Sequence, residues 1–290
     1  MPPDPGYSDP LPAAADLRKL GLIAGGGELP ARVIAACREA GRPLFVLALE
    51  GFTNPDCLAE VDHAWIRLGA AGEGFRHLHA HNVQDIVMVG PVRRPSLADL
   101  RPDWRATRLF AKVGLKALGD DGLLRAVIAE VEQEGFRVIG VDQILGGHVA
   151  RRGTLGSVQP DDQALADLAH GAAVARALGQ LDVGQGVVVQ QGIVLAAEAV
   201  EGTDAMLSRC AGLRREGPGG VLVKMCKPQQ DRRADLPTVG PVTVMRAAEA
   251  GLRGIGVQAG AAVLVDVAEI RRQADALGLF VIGLTEEGTP

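Results

Sequence analysis

The choice of fold is narrowed furthest by the opening of the chain, where a strand, a glycine loop and a helix follow one another directly. Residues 19–24 read KLGLIA, which is typical of a buried strand, and three consecutive glycines come next. A helix is predicted over 31–40, because Pro30 suits a first helical turn, where its missing N–H has no partner to lose. This order predicts a doubly wound, Rossmann-like parallel sheet.

The glycine loop itself has two interpretations. Gly25, Gly26 and Gly27 can direct backbone N–H groups at an anion, since they precede a helix N-terminus, and they are candidate substrate-binding residues. The loop lacks the GxGxxG spacing of dinucleotide sites, however, and three glycines equally suit a tight turn where helix and strand approach closely. The sequence leaves both interpretations open.

Apolar runs alternate with helical patterns through the rest of this half. Strands are predicted over 43–49, 64–68, 85–92 and 136–144, and helices over 73–82, 104–117 and 123–134. The run DIVMVGPV is apolar throughout, as strands of parallel sheets are, and Arg93 and Arg94 follow it. Ligands of open α/β sheets bind at the carboxyl ends of strands, so this pair is a candidate for substrate binding.

Composition shifts divide the chain into four parts. Residues 1–17 are proline-rich and lack a signal-peptide pattern, so they are predicted to be a disordered or tag-like tail. The Rossmann-like N-terminal domain is predicted over 18–146. Glycine and small polar residues over 147–160 predict a linker. A second α/β domain, expected to be catalytic, is predicted over 161–290.

The second half also mixes strands and helices. Strands are predicted over 186–190 and 193–199, as a hairpin with its turn at Gln191 and Gly192, and over 221–225, 255–258, 261–265 and 279–283. Helices are predicted over 162–178, where Asp161 and Asp162 suit the helix N-terminus, and over 242–250 and 267–276. A further helix is predicted to end at Cys210, with Thr203 as its N-cap. Glu201 and Asp204 flank that N-cap; they suit a positive helix end, and they are also candidate metal ligands.

Residues 224–243, KMCKPQQDRRADLPTVGPVT, concentrate charge after a predicted buried strand. Carboxylates are ligands for Mg²⁺, which binds proteins through one or two acids and substrate phosphate. Lys and Arg neutralise the remaining phosphate charge. The candidates are Asp231 and Asp235 for metal or water, and Lys224, Lys227 and Arg233 for phosphate. The alternative is a solvated loop held by local ion pairs.

Composition excludes several classes of function. A net charge of −5 disfavours a nonspecific polyanion binder, and an aromatic content of 3% disfavours base-stacking surfaces for nucleic acid. Four scattered cysteines without CxxC spacing predict a reduced, cytoplasmic protein without a zinc site. No GxSxG, HExxH or Walker motif occurs. The sequence therefore offers more candidate residues for carboxylate chemistry with a divalent metal than for any other mechanism.

Four segments together carry a resemblance to a known family. They are KLGLIAGGGELP, DIVMVGPVRRP, EGTDAML and KMCKPQQDRRADLPTVGPVTV. The chain resembles the UDP-2,3-diacylglucosamine pyrophosphatases of lipid A biosynthesis, of the Mg²⁺-dependent, two-domain type found in α-proteobacteria. The pattern K-x-x-K-P-x-Q-D-x-R-x-D-x-P is intact, and it is formed by Lys224, Lys227, Pro228, Gln230, Asp231, Arg233, Asp235 and Pro237.

The resemblance implies hydrolysis of UDP-2,3-diacylglucosamine to UMP and 2,3-diacylglucosamine 1-phosphate, called lipid X. It implies water attack on the phosphorus nearer the sugar, in a site between the two domains. An essential aspartate is implied in the D-x-R-x-D segment, which is Asp235 first and Asp231 second. Thr203 and Gln230 are implied to bind substrate.

Partners follow from this class of substrate. A diacylated lipid predicts transient peripheral contact with the inner membrane, and a homodimer is favoured by the general frequency of two-fold assemblies. Two other functions remain open from the residues. One is a nucleotide-sugar or dinucleotide enzyme built on the first half, and the other is a noncatalytic lipid- or nucleotide-binding module.

Overall fold

The computed structural model describes residues 17–92, 102–113, 120–145, 148–233 and 236–290. The predicted tail up to residue 16, the pair Arg93 and Arg94, and Asp235 lie outside these ranges. The described residues form two compact units. The first contains residues 17–145 and 231–233, and the second contains His148–Gln230 and Leu236–Pro290.

The first unit is a parallel sheet with helices. Its strands are β1 (Leu20–Ala24), β2 (Leu44–Leu49), β3 (His63–Ile66), β4 (Asp85–Val89) and β5 (Arg137–Val138), and its helices are α1 (Leu29–Glu39), α2 (Ala71–Ala80), α3 (Trp104–Val113) and α4 (Asp120–Gln133). The strand order is β3-β2-β1-β4-β5, and every pairing among these described strands is parallel. The predicted Rossmann-like sheet is confirmed.

The order in which successive strands join this sheet changes side after β3. Strands β2 and β3 lie on one side of β1, whereas β4 pairs with the other side of β1. Ligands of open α/β sheets bind at such a switch point, beside the carboxyl ends of the strands. The glycine loop after β1 lies at this edge.

One predicted strand of the first unit is much shorter than expected. Residues 136–144 are mostly apolar, but only Arg137–Val138 joins the sheet, and a 3₁₀ turn at Val141–Gln143 follows. Val141, Ile144 and Leu145 are nonetheless buried. The apolar pattern therefore reflects burial of a turn against the core, which strand periodicity alone does not distinguish from a strand.

A fully buried carboxylate joins the amino ends of four strands in the first unit. Asp85, the first residue of β4, is 0% exposed. It accepts hydrogen bonds from Arg42 Nη2 at 2.6 Å and from Arg137 Nε at 2.9 Å, and Arg18 Nε lies 3.5 Å away. These arginines precede β2, begin β5 and precede β1 respectively. The cluster lies at the sheet edge opposite the glycine loop.

The second unit contains a mixed sheet of six described strands. Its strands are β6 (Gly153–Leu155), β7 (Gly186–Gln190), β8 (Ile193–Ala197), β9 (Val221–Lys224), β11 (Gly254–Gln258) and β13 (Phe280–Leu284), in the order β6-β13-β11-β9-β7-β8. The central β13, β11 and β9 are parallel to one another. Strand β6 pairs antiparallel with β13, β7 pairs antiparallel with β9, and β8 pairs antiparallel with β7. A separate parallel pair joins β10 (Thr238–Val239) and β12 (Val263–Leu264).

Helix packing covers this second sheet. The helices are α5 (Asp162–Gln180), α6 (Gly202–Cys210), α7 (Pro241–Glu249) and α8 (Val267–Leu277). Small residues of α5 let it approach the sheet closely, since a Cβ on Gly171 would lie 2.7 Å from Val223 Cγ2. Among the described helices, none is long and apolar enough to cross a membrane.

The predicted linker over 147–160 is wrong. Gly153–Leu155 is the edge strand β6, and Val149 forms a bridge with Val263. Two of the glycines that suggested a linker have positive φ, with values of 92° at Gly153 and 98° at Gly156. The predicted continuous second domain over 161–290 also differs, because residues 231–233 belong to the first unit.

Local signals in the second half are confirmed. Asp161 is the N-cap of α5 and accepts from the Ala164 N–H at 2.8 Å. The β7–β8 hairpin turns at Gln191 and Gly192, with φ values of 54° and 75°. The buried Asp167 carboxylate accepts the N–H groups of both turn residues. The start of this helix and the hairpin turn could be predicted from the sequence because both depend on neighbouring residues.

Candidate active site

The glycine loop joins the ends of β1 and β4. The Gly25 N–H donates to Val89 O at 2.8 Å, and the Gly26 N–H donates to Pro91 O at 3.0 Å. A Cβ on Gly25 would lie 2.4 Å from Gly90 O, and Gly90 itself has a φ of 95°. Two N–H groups of the loop are therefore engaged by backbone carbonyls. This geometry supports close backbone approach, and among the three glycines it leaves the exposed Gly27 as the candidate anion contact.

We expect Gly25→Ala to destabilise the first unit by about 1–3 kcal/mol, because the new methyl group overlaps a backbone carbonyl that a rotamer change cannot move. Both tryptophans of the chain, Trp65 and Trp104, belong to this unit, so tryptophan fluorescence during urea unfolding measures the effect. Gly26→Ala, in the same loop, is the control, because a Cβ there would lie 3.4 Å from its nearest neighbours, Phe52 O and Pro91 O, which is an ordinary van der Waals contact. An unchanged midpoint for Gly25→Ala would contradict the close-approach interpretation.

Lys224 ends β9 with its side chain buried. It is 5% exposed, and its Nζ donates to Thr238 O at 3.0 Å. Within the described ranges, no carboxylate lies at ion-pair distance from this ammonium group. A buried charge without a counter-charge is costly, so the position favours an anionic partner.

The loop after β9 is fixed by polar contacts within the second unit. Lys227 Nζ pairs with Asp182 Oδ1 at 2.6 Å, and Gln230 Oε1 accepts the Lys227 N–H at 3.1 Å. The Cys226 N–H donates to Gln258 Oε1 at 3.0 Å. The structure thus gives Lys227 and Gln230 roles in holding the loop, whereas the sequence predicts contacts with substrate.

Asp231 and Arg233 form a bidentate ion pair in the first unit. Arg233 Nε and Nη2 donate to the two Asp231 carboxylate oxygens at 3.0 and 2.8 Å, and Arg233 Nη1 donates to Glu132 Oε1 at 2.6 Å. The hydrogen bonds from Arg233 hold the pKa of Asp231 below its usual value, so this acid is ionised at neutral pH. Both oxygens of Asp231 are engaged, as the ion-pair alternative for this loop expects.

The acids around Thr203 are arranged differently from the prediction. Glu201 occupies the N-cap position of α6 without a side-chain cap, so the predicted capping by Thr203 is wrong. Thr203 Oγ1 instead donates to Glu198 Oε1 at 2.9 Å. Hydrogen bonds from its own backbone N–H and from Arg209 lower the pKa of Glu201. Asp204 is exposed in the first turn.

A metal site is not formed by these acids as described. Throughout the described parts of the chain, no group of three or more His, Cys, Asp or Glu side chains is placed to hold a metal ion. Asp235, the acid predicted first for catalysis and for the metal, lies outside those parts. The metal set Asp231, Asp235, Glu201 and Asp204 therefore stays a prediction.

Sequence patterns missed the partners of the site residues. Glu132, Asp182 and Glu198 each bind a predicted site residue, yet none carries a motif. Asp182 precedes Lys227 by 45 positions and Glu132 precedes Arg233 by 101, so only the fold brings each pair together. Glu198 lies only five residues from Thr203, so this short separation was a signal by which their contact could have been predicted.

The sequence matches one protein family along most of its length. The model of the LpxI N-terminal domain matches residues 19–148, and that of the LpxI C-terminal domain matches residues 151–282. The chain is 43% identical over 281 residues to the UDP-2,3-diacylglucosamine pyrophosphatase LpxI of Caulobacter vibrioides, covering 94% of this chain and 100% of that protein. The chain belongs to the LpxI family. The two domain matches meet close to the break between the units at residues 147 and 148, whereas residues 231–233 of the first unit lie within the C-terminal match.

Two solved structures show remote likenesses to this LpxI family member. The biotin carboxylase subunit of a pyruvate carboxylase matches with a TM-score of 0.22 and 16% identity, over 63% of this chain and 35% of that one. The biotin carboxylase domain of the Hydrogenobacter thermophilus 2-oxoglutarate carboxylase matches with a TM-score of 0.22 and 15% identity, over 69% and 41%. Scores this low do not establish a shared fold.

Proposed function

We propose that this LpxI family member hydrolyses UDP-2,3-diacylglucosamine to UMP and 2,3-diacylglucosamine 1-phosphate, in lipid A biosynthesis. The observation that carries the proposal is 43% identity to a UDP-2,3-diacylglucosamine pyrophosphatase along that protein's whole length. The intact K-x-x-K-P-x-Q-D-x-R-x-D-x-P pattern after β9 supports it further.

The reaction adds water to the phosphorus nearer the sugar. The bond from that phosphorus to the bridging oxygen breaks, UMP leaves with the bridging oxygen, and the water proton passes to a base. We assign the base role to Asp235. Asp231 is a weaker candidate, because its two oxygens are already occupied by Arg233. A positioned carboxylate that removes this proton contributes about 10²–10⁴-fold to such a rate.

Lys224 is assigned to the diphosphate. Its ammonium group is buried, and Thr238 O is the acceptor that the structure gives it. A substrate phosphate supplies the missing negative charge, which would offset the cost of burying the cation. As the reaction proceeds, the same cation stabilises charge that develops on the phosphoryl oxygens.

Magnesium is proposed as the cofactor on the chemistry of its candidate ligands. Mg²⁺ binds through carboxylates and substrate phosphates, and it would polarise a phosphoryl oxygen. We expect the purified protein, with Mg²⁺ and UDP-2,3-diacylglucosamine, to release UMP and lipid X, both detected by mass spectrometry. Removal of divalent ions with EDTA should abolish product, and added Mg²⁺ should restore it.

Two outcomes of that experiment contradict different statements. Product formation that persists in EDTA after dialysis would contradict the metal requirement and leave the hydrolysis standing. Absence of product with Mg²⁺, Mn²⁺ and Ca²⁺ alike would contradict the proposed function. Asp62→Asn, an exposed acid without an assigned role, is the control and should retain wild-type turnover.

Two further proposals concern partners. A diacylated substrate resides at a membrane surface, so we propose transient peripheral contact with the inner membrane. Cosedimentation with vesicles that carry the substrate tests this contact. The proposed homodimer is supported by the general frequency of two-fold assemblies, and sedimentation equilibrium would contradict it by giving the monomer mass.

A further inference from the structure

Glu198 is a buried carboxylate whose hydrogen bonding is incomplete. Glu198 directly follows β8, and it is 7% exposed. Oε1 accepts the hydroxyl proton of Thr203 at 2.9 Å, and Oε2 is buried without a hydrogen-bond partner in the described structure. A buried carboxylate with an unsatisfied oxygen is costly, and each such group requires an explanation.

The backbone around Glu198 is shaped to admit this carboxylate. A Cβ on Gly186 would lie 2.5 Å from Glu198 Oε2, and a Cβ on Gly184 would lie 2.0 Å from Glu198 O. Neither glycine has a positive φ, so backbone conformation does not require glycine at these positions. They instead leave space for Glu198, which holds its carboxylate against β7 with one oxygen on Thr203.

This contact fixes the chemistry that Thr203 can offer to a ligand. A hydroxyl group has one proton to donate and two lone pairs that accept. The proton of Thr203 is committed to Glu198, so Oγ1 faces a ligand only as an acceptor. Thr203 is half-buried in the first turn of α6, where a ligand can reach it.

The charges around Thr203 disfavour a phosphate there. Glu201 precedes the helix, Asp204 lies in its first turn, and Glu198 touches the hydroxyl itself. These acids already complement the positive helix end. A phosphate at Oγ1 would meet an acceptor that has no proton left to give, and it would be repelled by Glu198, which touches the hydroxyl and is not one of the candidate metal ligands.

We infer that Glu198 is a positioning residue that makes Thr203 an obligate hydrogen-bond acceptor, and that Thr203 therefore binds a hydroxyl or N–H group of the substrate and not its diphosphate. This inference rests on the proposed hydrolysis of UDP-2,3-diacylglucosamine. Two residues of the second unit then bind different parts of the substrate. Lys224 is assigned to the diphosphate, and Thr203 is assigned to an uncharged donor group of the sugar, amide or base.

The test compares Glu198→Gln, Glu198→Met, Thr203→Val and Thr203→Ser. Loss of one hydrogen bond of this kind should lower kcat/KM by about ten- to hundredfold for Thr203→Val and Glu198→Met. Thr203→Ser, which keeps the hydroxyl, should stay near wild type. The Glu198→Met Thr203→Val double variant should be no worse than the poorer single variant, because the two residues act through one contact.

Stability separates positioning from a structural role. Methionine fills a similar volume without the charge, so Glu198→Met should melt no lower than wild type while kcat/KM falls. The inference would be overturned if the loss of kcat/KM in the double variant equalled the product of the two single losses, or if a folded Glu198→Met protein were fully active. If Glu198→Met does not fold, Glu198→Gln replaces it in the double-mutant cycle with Thr203→Val. Independent losses of kcat/KM in that cycle would also overturn the inference.

Binding measurements locate the donor and keep the two proposals distinguishable. Calorimetry with UMP and with lipid X, each on wild type and on Thr203→Val, should show a tenfold loss of affinity for one product, and that product carries the donor. Equal affinities for both products would overturn the contact. A wild-type protein that neither binds nor hydrolyses UDP-2,3-diacylglucosamine would overturn the proposed function, and this inference with it.

Discussion

Replacing Asp235 by asparagine should lower the rate of UDP-2,3-diacylglucosamine hydrolysis by about 10²–10⁴-fold, the contribution of a positioned acid–base group. Asparagine keeps the size of the side chain but cannot accept a proton. Because the change spares the predicted phosphate contacts, the affinity for substrate should fall far less than kcat. Steady-state rates and calorimetry on the same preparation measure the two effects separately.

Asp231→Asn is the comparison that makes this prediction specific. Asp231 is bound through both oxygens to Arg233, so its replacement should loosen the loop and reduce activity less than Asp235→Asn does. Equal losses from both variants would show that the two acids act as one group. Wild-type turnover in Asp235→Asn would remove this residue from the chemistry altogether.

Replacing Asp85 by asparagine should destabilise the first unit by about 3–5 kcal/mol, which is the usual cost of removing one partner from a buried ion pair. The carboxylate is 0% exposed, and Arg42, whose side chain is only 11% exposed, would lose its counter-charge. The change also removes the contact between the amino ends of four strands. Urea unfolding followed by the fluorescence of the tryptophans measures the loss.

The matched control for that variant lies in the same cluster. Arg18 is 47% exposed and 3.5 Å from Asp85, so Arg18→Ala should cost less than about 1 kcal/mol, as exposed pairs do. A loss below 1 kcal/mol for Asp85→Asn would contradict the structural weight given to the cluster. Activity measured on folded Asp85→Asn protein should remain, because within the first unit the cluster lies at the sheet edge opposite the glycine loop.

Much of the fold was predictable because its signals are local. The glycine loop, the Asp161 cap and the Gln191–Gly192 turn each depend on a few neighbouring residues, and each is where the sequence placed it. The central strands of both units were predicted because strands covered on both faces are apolar throughout, whereas the short strands β6 and β10 were not predicted. The strand order of the first unit is that of a doubly wound sheet.

Each wrong prediction has a physical cause that the sequence pattern does not carry. Residues 153–155 look like part of a linker because an edge strand of three residues has little periodicity to detect. Lys227 was assigned to phosphate because no sequence rule indicates that Asp182 would neutralise it. Thr203 fits an N-cap pattern, but the nearby Glu198 carboxylate takes its hydroxyl proton instead.

Hydrolysis in ¹⁸O-labelled water tests the central proposal most directly. After incubation of the protein and Mg²⁺ with UDP-2,3-diacylglucosamine, mass spectrometry should find one ¹⁸O atom in 2,3-diacylglucosamine 1-phosphate and none in UMP, because water attacks the phosphorus next to the sugar. Label in UMP would contradict the proposed site of attack. Substrate recovered intact from an enzyme shown to be folded would contradict the assigned reaction itself.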